Sequence, residues 1–372
     1  MQKRQARLSA QARSMFLQRK IPGRVYFELT PRCTLDCRMC YVHLTPAQMG
    51  DRKELSTEQW LRIVDEAVEA GMLYAVLTGG ECMLHPGFWE IAGHLMEKGV
   101  VVSVNTNAFA ITDADFERFR QLRPNSFRVT LYGATEEGYE RCTGHRALSR
   151  VLENVTRLRD AGFPIIFGVT LSRFNQDEFL EMVRIGQALK LRVHYSLDLR
   201  EPNADTGRRL SEFALSQEEV IRLLTEFRRA GKLPFYRNEP VTELPSRQPD
   251  DPSFKGLRCG GGSVTVAIHW DGSMAPCFEY QSGFPVQELG FAAAWEKTKA
   301  MAAEIQQPVE CRSCRLFPAC VDCVMLRRDP KNPGHANPER CAATVARWNA
   351  GLISLERPGP ERPDFTERKP DC

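Results

Sequence analysis

From Arg24 to Leu199, short runs rich in β-branched and aromatic residues alternate with stretches of helical periodicity, and this alternation constrains the fold most. The strand-like runs are Arg24–Thr30, Tyr74–Thr78, Val100–Asn105, Phe127–Leu131, Ile165–Leu171 and Arg192–Leu199. Helices are expected between them: Thr57–Ala70 with Ser56 as N-cap and Gly71 just past its end, Pro86–Lys98 closing on Gly99, and one from Thr112 or Asp113. Glu136–Arg141, Leu148–Ala161 and Asp177–Leu189 complete the set.

Such alternation builds βα units and a mainly parallel sheet. Six units make most of an eight-unit barrel, so the expected class is α/β: a partial (β/α)6 TIM-like barrel followed by a small Cys-rich α+β C-terminal domain. Ligands in these sheets bind at the carboxyl ends of the strands, and the chemistry-bearing residues fall there. After the first strand, Pro31 and Arg32 lead into Cys33-Thr34-Leu35-Asp36-Cys37-Arg38-Met39-Cys40. Thiolates select zinc or iron–sulfur. A structural zinc site wants four closed ligands, and no fourth Cys or His sits at the usual spacing nearby. A cubane has one thiolate per iron, so three thiols leave one iron open. A zinc loop is the competing reading.

Gly79-Gly80-Glu81 ends the second strand. Glycines let a ligand approach the backbone, and a carboxylate there can meet an ammonium group; an ordinary turn is the alternative. Asn105-Thr106-Asn107 ends the third strand, where polar side chains bond ribose hydroxyls or serve turn chemistry. Thr130 ends the fourth, in Val129-Thr130-Leu131-Tyr132-Gly133.

The chain has 372 residues and 42% hydrophobic content, enough for two or three structural units. No apolar run approaches the roughly 20 residues of a membrane span. Fifty basic against 47 acidic residues give a net charge of +3, which argues against a nucleic-acid partner. Thirteen cysteines without a signal peptide point to the reducing cytoplasm, where close Cys spacing means metal more often than disulfide. The expected organisation is a basic helical arm over 1–23, with Leu8, Ala12, Met15 and Phe16 at helical spacing, the barrel over 24–200, and a Pro-rich linker over 201–258. A Cys-rich domain over 259–345 and a charged, Pro-rich tail over 346–372 follow.

The Cys-rich domain carries Cys259, Cys277, Cys311, Cys314, Cys320, Cys323 and Cys341. Ser263–His269 and Ser273–Ala275 read as a hairpin turned by Asp271-Gly272, which would bring Cys259 and Cys277 together. The run from Cys311 to Cys323 is too tightly spaced for a comfortable disulfide set and suits a zinc ribbon or iron–sulfur ligation.

The loop at Cys33 resembles the CxxxCxxC signature of radical S-adenosylmethionine enzymes. Gly79-Gly80-Glu81 is similar to the family's GGE motif, with Cys82 where relatives have Pro, and Asn105-Thr106-Asn107 resembles its TNG stretch, with Ala108 replacing Gly. The distal cysteines resemble the family's SPASM extension, with two residues rather than three between Cys320 and Cys323. The resemblance spans about residues 24 to 345. It implies a [4Fe–4S] cluster on Cys33, Cys37 and Cys40, whose open iron is chelated by the amino and carboxylate groups of S-adenosylmethionine. An electron from the cluster then cleaves the sulfonium to methionine and a 5′-deoxyadenosyl radical. Gly79, Gly80 and Glu81 would bind the methionine amino group, and Asn105, Asn107 and Thr130 would contact the cofactor. Arg146 and Arg150 lie near where relatives place a basic partner for its carboxylate.

Two auxiliary iron–sulfur clusters are implied, one on Cys311, Cys314, Cys320 and Cys341, the other on Cys259, Cys277 and Cys323. The resemblance also implies a peptide or protein substrate, a reducing partner of flavodoxin or ferredoxin type, and a leader read by a separate leader-binding protein or by the barrel. The leading expectation is a ribosomal-peptide maturase forming thioether or carbon–carbon crosslinks. A sulfatase-maturating-type oxidase and a small-molecule radical enzyme are alternatives; a non-catalytic iron–sulfur or zinc scaffold is the alternative from another class. No catalytic acid–base residue stands out.

Overall fold

The structure, a computed structural model, describes residues 15–16, 18–197, 199–202, 204–229, 256–257, 259–278, 280, 283–317, 320, 323–329 and 331–352. Leu8, Ala12, residues 230–255 of the Pro-rich linker and residues 353–372 of the tail lie outside the described residues.

All six expected strands form: β1 (Arg24–Glu28), β2 (Tyr74–Thr78), β3 (Val101–Thr106), β4 (Ser126–Thr130), β5 (Ile165–Thr170) and β6 (Arg192–Ser196). Neighbours pair in parallel in chain order, with Arg24 opposite Tyr74, Tyr74 opposite Val101, and Gly168 opposite His194. β1 is two residues shorter than expected. Thr30 turns its hydroxyl to Glu54, and Pro31 has no N–H for a ladder.

One pairing was not expected from the sequence. β7 (Thr265–Ile268) lies parallel to β1, with Arg24 opposite Thr265 and Phe27 opposite Ile268. Its hairpin partner β8 (Ser273–Ala275) turns back through Asp271-Gly272, Gly272 having φ +86°, and β9 (Phe284–Pro285) follows. The result is one nine-stranded sheet, β6-β5-β4-β3-β2-β1-β7-β8-β9, continuous from the six βα units into the Cys-rich region.

Strand residues alternate between two faces. One face carries Val25, Phe27, Ala75, Leu77, Val102, Val104, Phe127, Val129, Phe167 and Val169, all buried in the main core. The helices cover it. Thr57–Glu69 contributes Trp60, Ile63, Val64 and Ala67, and Trp60 meets Phe27 edge to face at 5.8 Å. Each such large apolar side chain contributes about 1.5–3 kcal/mol on burial. The other face is inward and mixed, with Tyr26, Glu28, Thr78, Ser103, Asn105, Arg128, Thr130, Thr170 and His194 beside Val76, Val101 and Ile166. A closed eight-stranded barrel fills this space with apolar layers; here six parallel strands carry polar and charged side chains on the inward face, and that inward space is called the lumen below.

Local chemistry sets the helix limits. Ser56 and Gln59 cap Thr57–Glu69 reciprocally, and Thr112 and Asp115 do the same for Asp113–Leu122. Phe88–Glu97 begins two residues beyond Pro86. Phe16 is buried beside Gly23, and the Trp295 indole donates to Lys20 O at 3.3 Å.

Candidate active site at the strand ends

Past Leu29 the chain leaves the sheet and is clamped at once. Thr30 Oγ1 and Arg32 Nε each donate to Glu54 Oε1 at 2.7 Å, and Arg32 Nη2 donates to Glu54 Oε2 at 2.8 Å. The thiol loop then rests on the end of the helix Glu136–Thr143: Asp36 N–H donates to Thr143 O at 3.0 Å and Arg38 N–H to Cys142 O at 2.9 Å. Arg208 closes the other side, giving Nη1 to Cys37 O and Nη2 to Asp36 Oδ1, both at 2.8 Å.

Cys37 is buried, and Cys33 and Cys40 are partly so. Donors surround the sulfurs. Leu35 N–H and Asn107 Nδ2 reach Cys33 Sγ at 3.5 Å, and His43 N–H reaches Cys40 Sγ at 3.2 Å. The Tyr132 phenol donates to Cys37. Burial pushes the Cys33 thiol up to about 12, with the charges of Glu81 and Cys40 adding to it. Burial likewise raises Cys37 and Cys40, and the neighbouring thiols raise Cys37 further. Three desolvated thiols in one another's fields become thiolates only when a cation shares the space. N–H groups aimed at the sulfurs are the means by which proteins set cluster potentials, so this donor set fits an iron–sulfur cluster. Among the described residues, no three Cys, His, Asp or Glu side chains gather closely enough to chelate one ion; in a cubane each thiolate takes its own iron.

The end of β2 packs against the same loop. Gly80 N–H donates to Thr30 O and Glu81 N–H to Arg32 O, both at 2.8 Å. A Cβ on Gly79, at φ +145°, would stand 2.5 Å from Thr30 O, and one on Gly80 would collide with Arg32 O. The glycines thus admit the turn's own backbone on the side where a side chain would stand. Glu81 is buried and accepts at Oε2 from Thr106 Oγ1 and Asn107 N–H, both at 2.9 Å. Burial raises its carboxyl against the opposing pull of those bonds. Asn107 also donates to Thr34 Oγ1 at 3.1 Å, so the thiol loop, Glu81 and the end of β3 form one connected group. Asn105 and Thr130 line the lumen beside it, and Thr130 O accepts from the Tyr139 phenol at 3.3 Å.

Other candidates lie elsewhere. Cys82 is fully buried, its thiol directed at Asn105 O at 3.4 Å, and Cys142 is fully buried as well. Arg146 pairs with Glu137 and Glu140 at the surface, and Arg150 with Glu153. In the Cys-rich region, Cys311, Cys314, Cys320 and Cys341 line one cavity with Phe317 and Arg327. Burial pushes Cys311 up to about 12, with Cys320, Cys341 and Cys314 adding to the rise against Arg327. Tyr280 is pushed up to about 12 by burial and then by Cys277, Cys323 and Cys259, which therefore share its surroundings.

Arg208, Tyr132 and the pair Glu28–His269 escaped sequence reading. Arg208 sits in a stretch read as linker; Tyr132 sat inside a quoted strand-end motif without its own signal. His269 Nδ1 lies 3.3 Å from Glu28 Oε1, and its Nε2 donates to Tyr280 O at 2.8 Å.

Fold and site together are those of an α/β protein that gathers three thiols and a buried carboxylate at the strand ends of a partial barrel. Residues 27–185, which hold the thiol loop and β2 to β5, match the Radical SAM superfamily, and this match supports S-adenosylmethionine and one [4Fe–4S] cluster as cofactors. The chain is similar to the PqqA peptide cyclase of Granulibacter bethesdensis, 30% identical over 163 residues, a match spanning 44% of this chain but only 43% of that protein. It is 28% identical over 316 residues to the mycofactocin maturase MftC of Mycobacterium tuberculosis, covering 79% of this chain and 76% of that one. In fold it is similar to Streptococcus suis SuiB bound to S-adenosylmethionine, with TM-score 0.64 and 17% identity over 87% of this chain and 77% of that one. The structure of anSMEcpe with bound AdoMet gives TM-score 0.63 and 14% identity over 88% and 96% of the two chains. No helix among the described residues is long and apolar enough to cross a membrane.

Proposed function

We propose that this chain is a peptide maturase, using radical chemistry at the barrel mouth to install a thioether or carbon–carbon crosslink in a ribosomally made peptide. The observation that carries the radical half is the single hydrogen-bonded group of Cys33, Asn107 and Glu81, which joins the thiol loop to the ends of β2 and β3. The peptide half is supported by similarity to the PqqA peptide cyclase and, over most of both chains, to MftC.

Cys33, Cys37 and Cys40 would hold the [4Fe–4S] cluster, and Gly79, Gly80, Glu81, Asn105, Asn107 and Thr130 the cofactor. When bound, the cluster and S-adenosylmethionine supply a reductively generated, hydrogen-abstracting radical. The chain's own residues do the rest. Glu81 offers a buried carboxylate to an ammonium group, with Thr106 and Asn107 fixing its direction. Arg208 and Glu54 hold the thiol loop still. The polar lumen orients a substrate while the packed outer face excludes water.

Cys311, Cys314, Cys320 and Cys341 would hold one auxiliary cluster, supported by their shared cavity; Cys259, Cys277 and Cys323 would hold the other. The domain limits given above, a flavodoxin- or ferredoxin-type reductant, a separate leader-binding protein and a cytoplasmic setting belong to the same proposal.

The test is anaerobic reconstitution with iron and sulfide, reduction, and measurement of 5′-deoxyadenosine, followed by mass spectrometry of peptides co-expressed from neighbouring reading frames. Deoxyadenosine release that Cys37→Ala abolishes, and a peptide mass loss of whole hydrogens, are the expected results. Release unaffected by Cys37→Ala would end the cofactor assignment.

A further inference from the structure

Among the described residues, the inward face of the sheet carries a cation with no carboxylate partner. Arg128 projects inward from the middle of β4, between Phe127 and Val129, which are fully buried on the outer face. Its chain passes over Gly168 of β5, where a Cβ would stand 3.0 Å from Nε. Its Nη2 lies 2.7 Å from Nδ1 of His194 on β6. A guanidinium only donates, so His194 accepts at Nδ1 and is the neutral tautomer. Burial, and then the Arg128 charge, hold His194 below its usual range, in keeping with that assignment. Among the described residues no carboxylate pairs with Arg128. Glu28, the inward carboxylate of β1, is engaged by His269 on the far side of the lumen.

A desolvated charge without a partner is costly, several kcal/mol even after relaxation, and a guanidinium's fork matches a carboxylate in two-point geometry. The position separates this cation from the group described above. Cys33, Glu81 and Asn107 stand at the ends of β1 to β3, whereas Arg128 lies one pleat below Thr130 and leans towards β5 and β6.

We propose that Arg128, positioned by His194, binds a carboxylate of the substrate on the β4–β6 side of the lumen. This rests on the peptide reading above and narrows it: the peptide presents either its C-terminal carboxylate or an acidic side chain to the barrel.

The test uses small probes on the full, anaerobically reconstituted chain saturated with S-adenosylmethionine, read by ligand-observed NMR. N-acetylglycine presents a terminal carboxylate, N-acetylaspartate α-amide the same group on a side chain, and N-acetylglycinamide is the neutral counterpart. At least one acid should bind tenfold or more tighter than the amide, and the tighter acid identifies the source. Arg128→Gln should erase the preference, Arg128→Lys should keep part of it, and His194→Phe should weaken it several-fold. Equal binding of acids and amide by the wild-type chain overturns the proposal, even if every variant fails to fold. So does acid binding that appears only without S-adenosylmethionine, which would assign the guanidinium to the cofactor's own carboxylate. The probes read Arg128 whether or not a peptide is ever modified, so failure of the peptide reading shows separately in the mass spectra.

Discussion

Gly80 and Gly93 look alike in a sequence and differ entirely in what surrounds them. A methyl group on Gly80 meets Arg32 O, part of the turn that delivers Cys33, whereas one on Gly93 meets only Leu122 at an ordinary 3.8 Å. Gly80→Ala is therefore expected to cost about 1–3 kcal/mol in denaturant unfolding and to lower iron retention. Gly93→Ala, inside the helix Phe88–Glu97, should stabilise by up to about 1 kcal/mol. Glu81 gives a sharper functional test. Glu81→Gln keeps one acceptor oxygen, which can take both Thr106 and Asn107 as Oε2 does now, but removes the charge, and a hydrogen bond to a charged group is worth roughly 1.5–3 kcal/mol. Deoxyadenosine release should fall about ten- to a hundredfold while iron content stays at the wild-type level. Equal loss of both would make Glu81 a support of the loop alone.

Among the elements, the thiol loop has no regular structure of its own and borrows its shape from three neighbours. Glu54 grips its start, the end of the helix Glu136–Thr143 supports its middle, and Arg208 spans Asp36 and Cys37. Arg208→Ala should leave unfolding of the barrel within about 1 kcal/mol of wild type, since the Asp36 pair is partly exposed and such pairs contribute little. Its effect should appear in the loop: faster loss of iron to a chelator, followed by absorbance. Retention of iron at the wild-type rate would show that the other two supports suffice. The strand–helix alternation was legible at this scale because each amphipathic period is local. β7 beside β1 was not, because the two strands lie some two hundred and forty residues apart and only packing brings them together.

Across the whole molecule, that β1–β7 seam carries a titrating link. Burial alone would lower the His269 imidazole, but the bond and charge of Glu28 raise it above its usual value. A group raised in the folded state stabilises fully below its unfolded pKa of about 6.5 and loses that contribution as pH rises through the folded value. Stability measured by urea unfolding should thus decline as pH rises above about 6.5, and His269→Gln should flatten the decline. An unchanged slope would mean that the His269 contact with Glu28 does not set this pH dependence. The link matters because Tyr280, whose carbonyl His269 holds, stands among Cys259, Cys277 and Cys323, so this imidazole adds a titrating contact to the β1–β7 ladder that joins barrel and Cys-rich region.

Spacing along the chain places three thiols within eight residues, close enough in sequence to serve one centre however the rest folds, and the period of the apolar residues determined the strands and helices. Cys311, Cys314, Cys320 and Cys341 line one cavity in the fold. Only the tertiary structure decided that the glycines before Glu81 receive backbone, that Cys82 and Cys142 are buried in the walls, that Arg146 faces solvent, and that Arg128 and His194 meet inside the lumen. Those outcomes depend on which faces of distant strands oppose one another, and alternation along one strand does not specify its neighbour across the barrel.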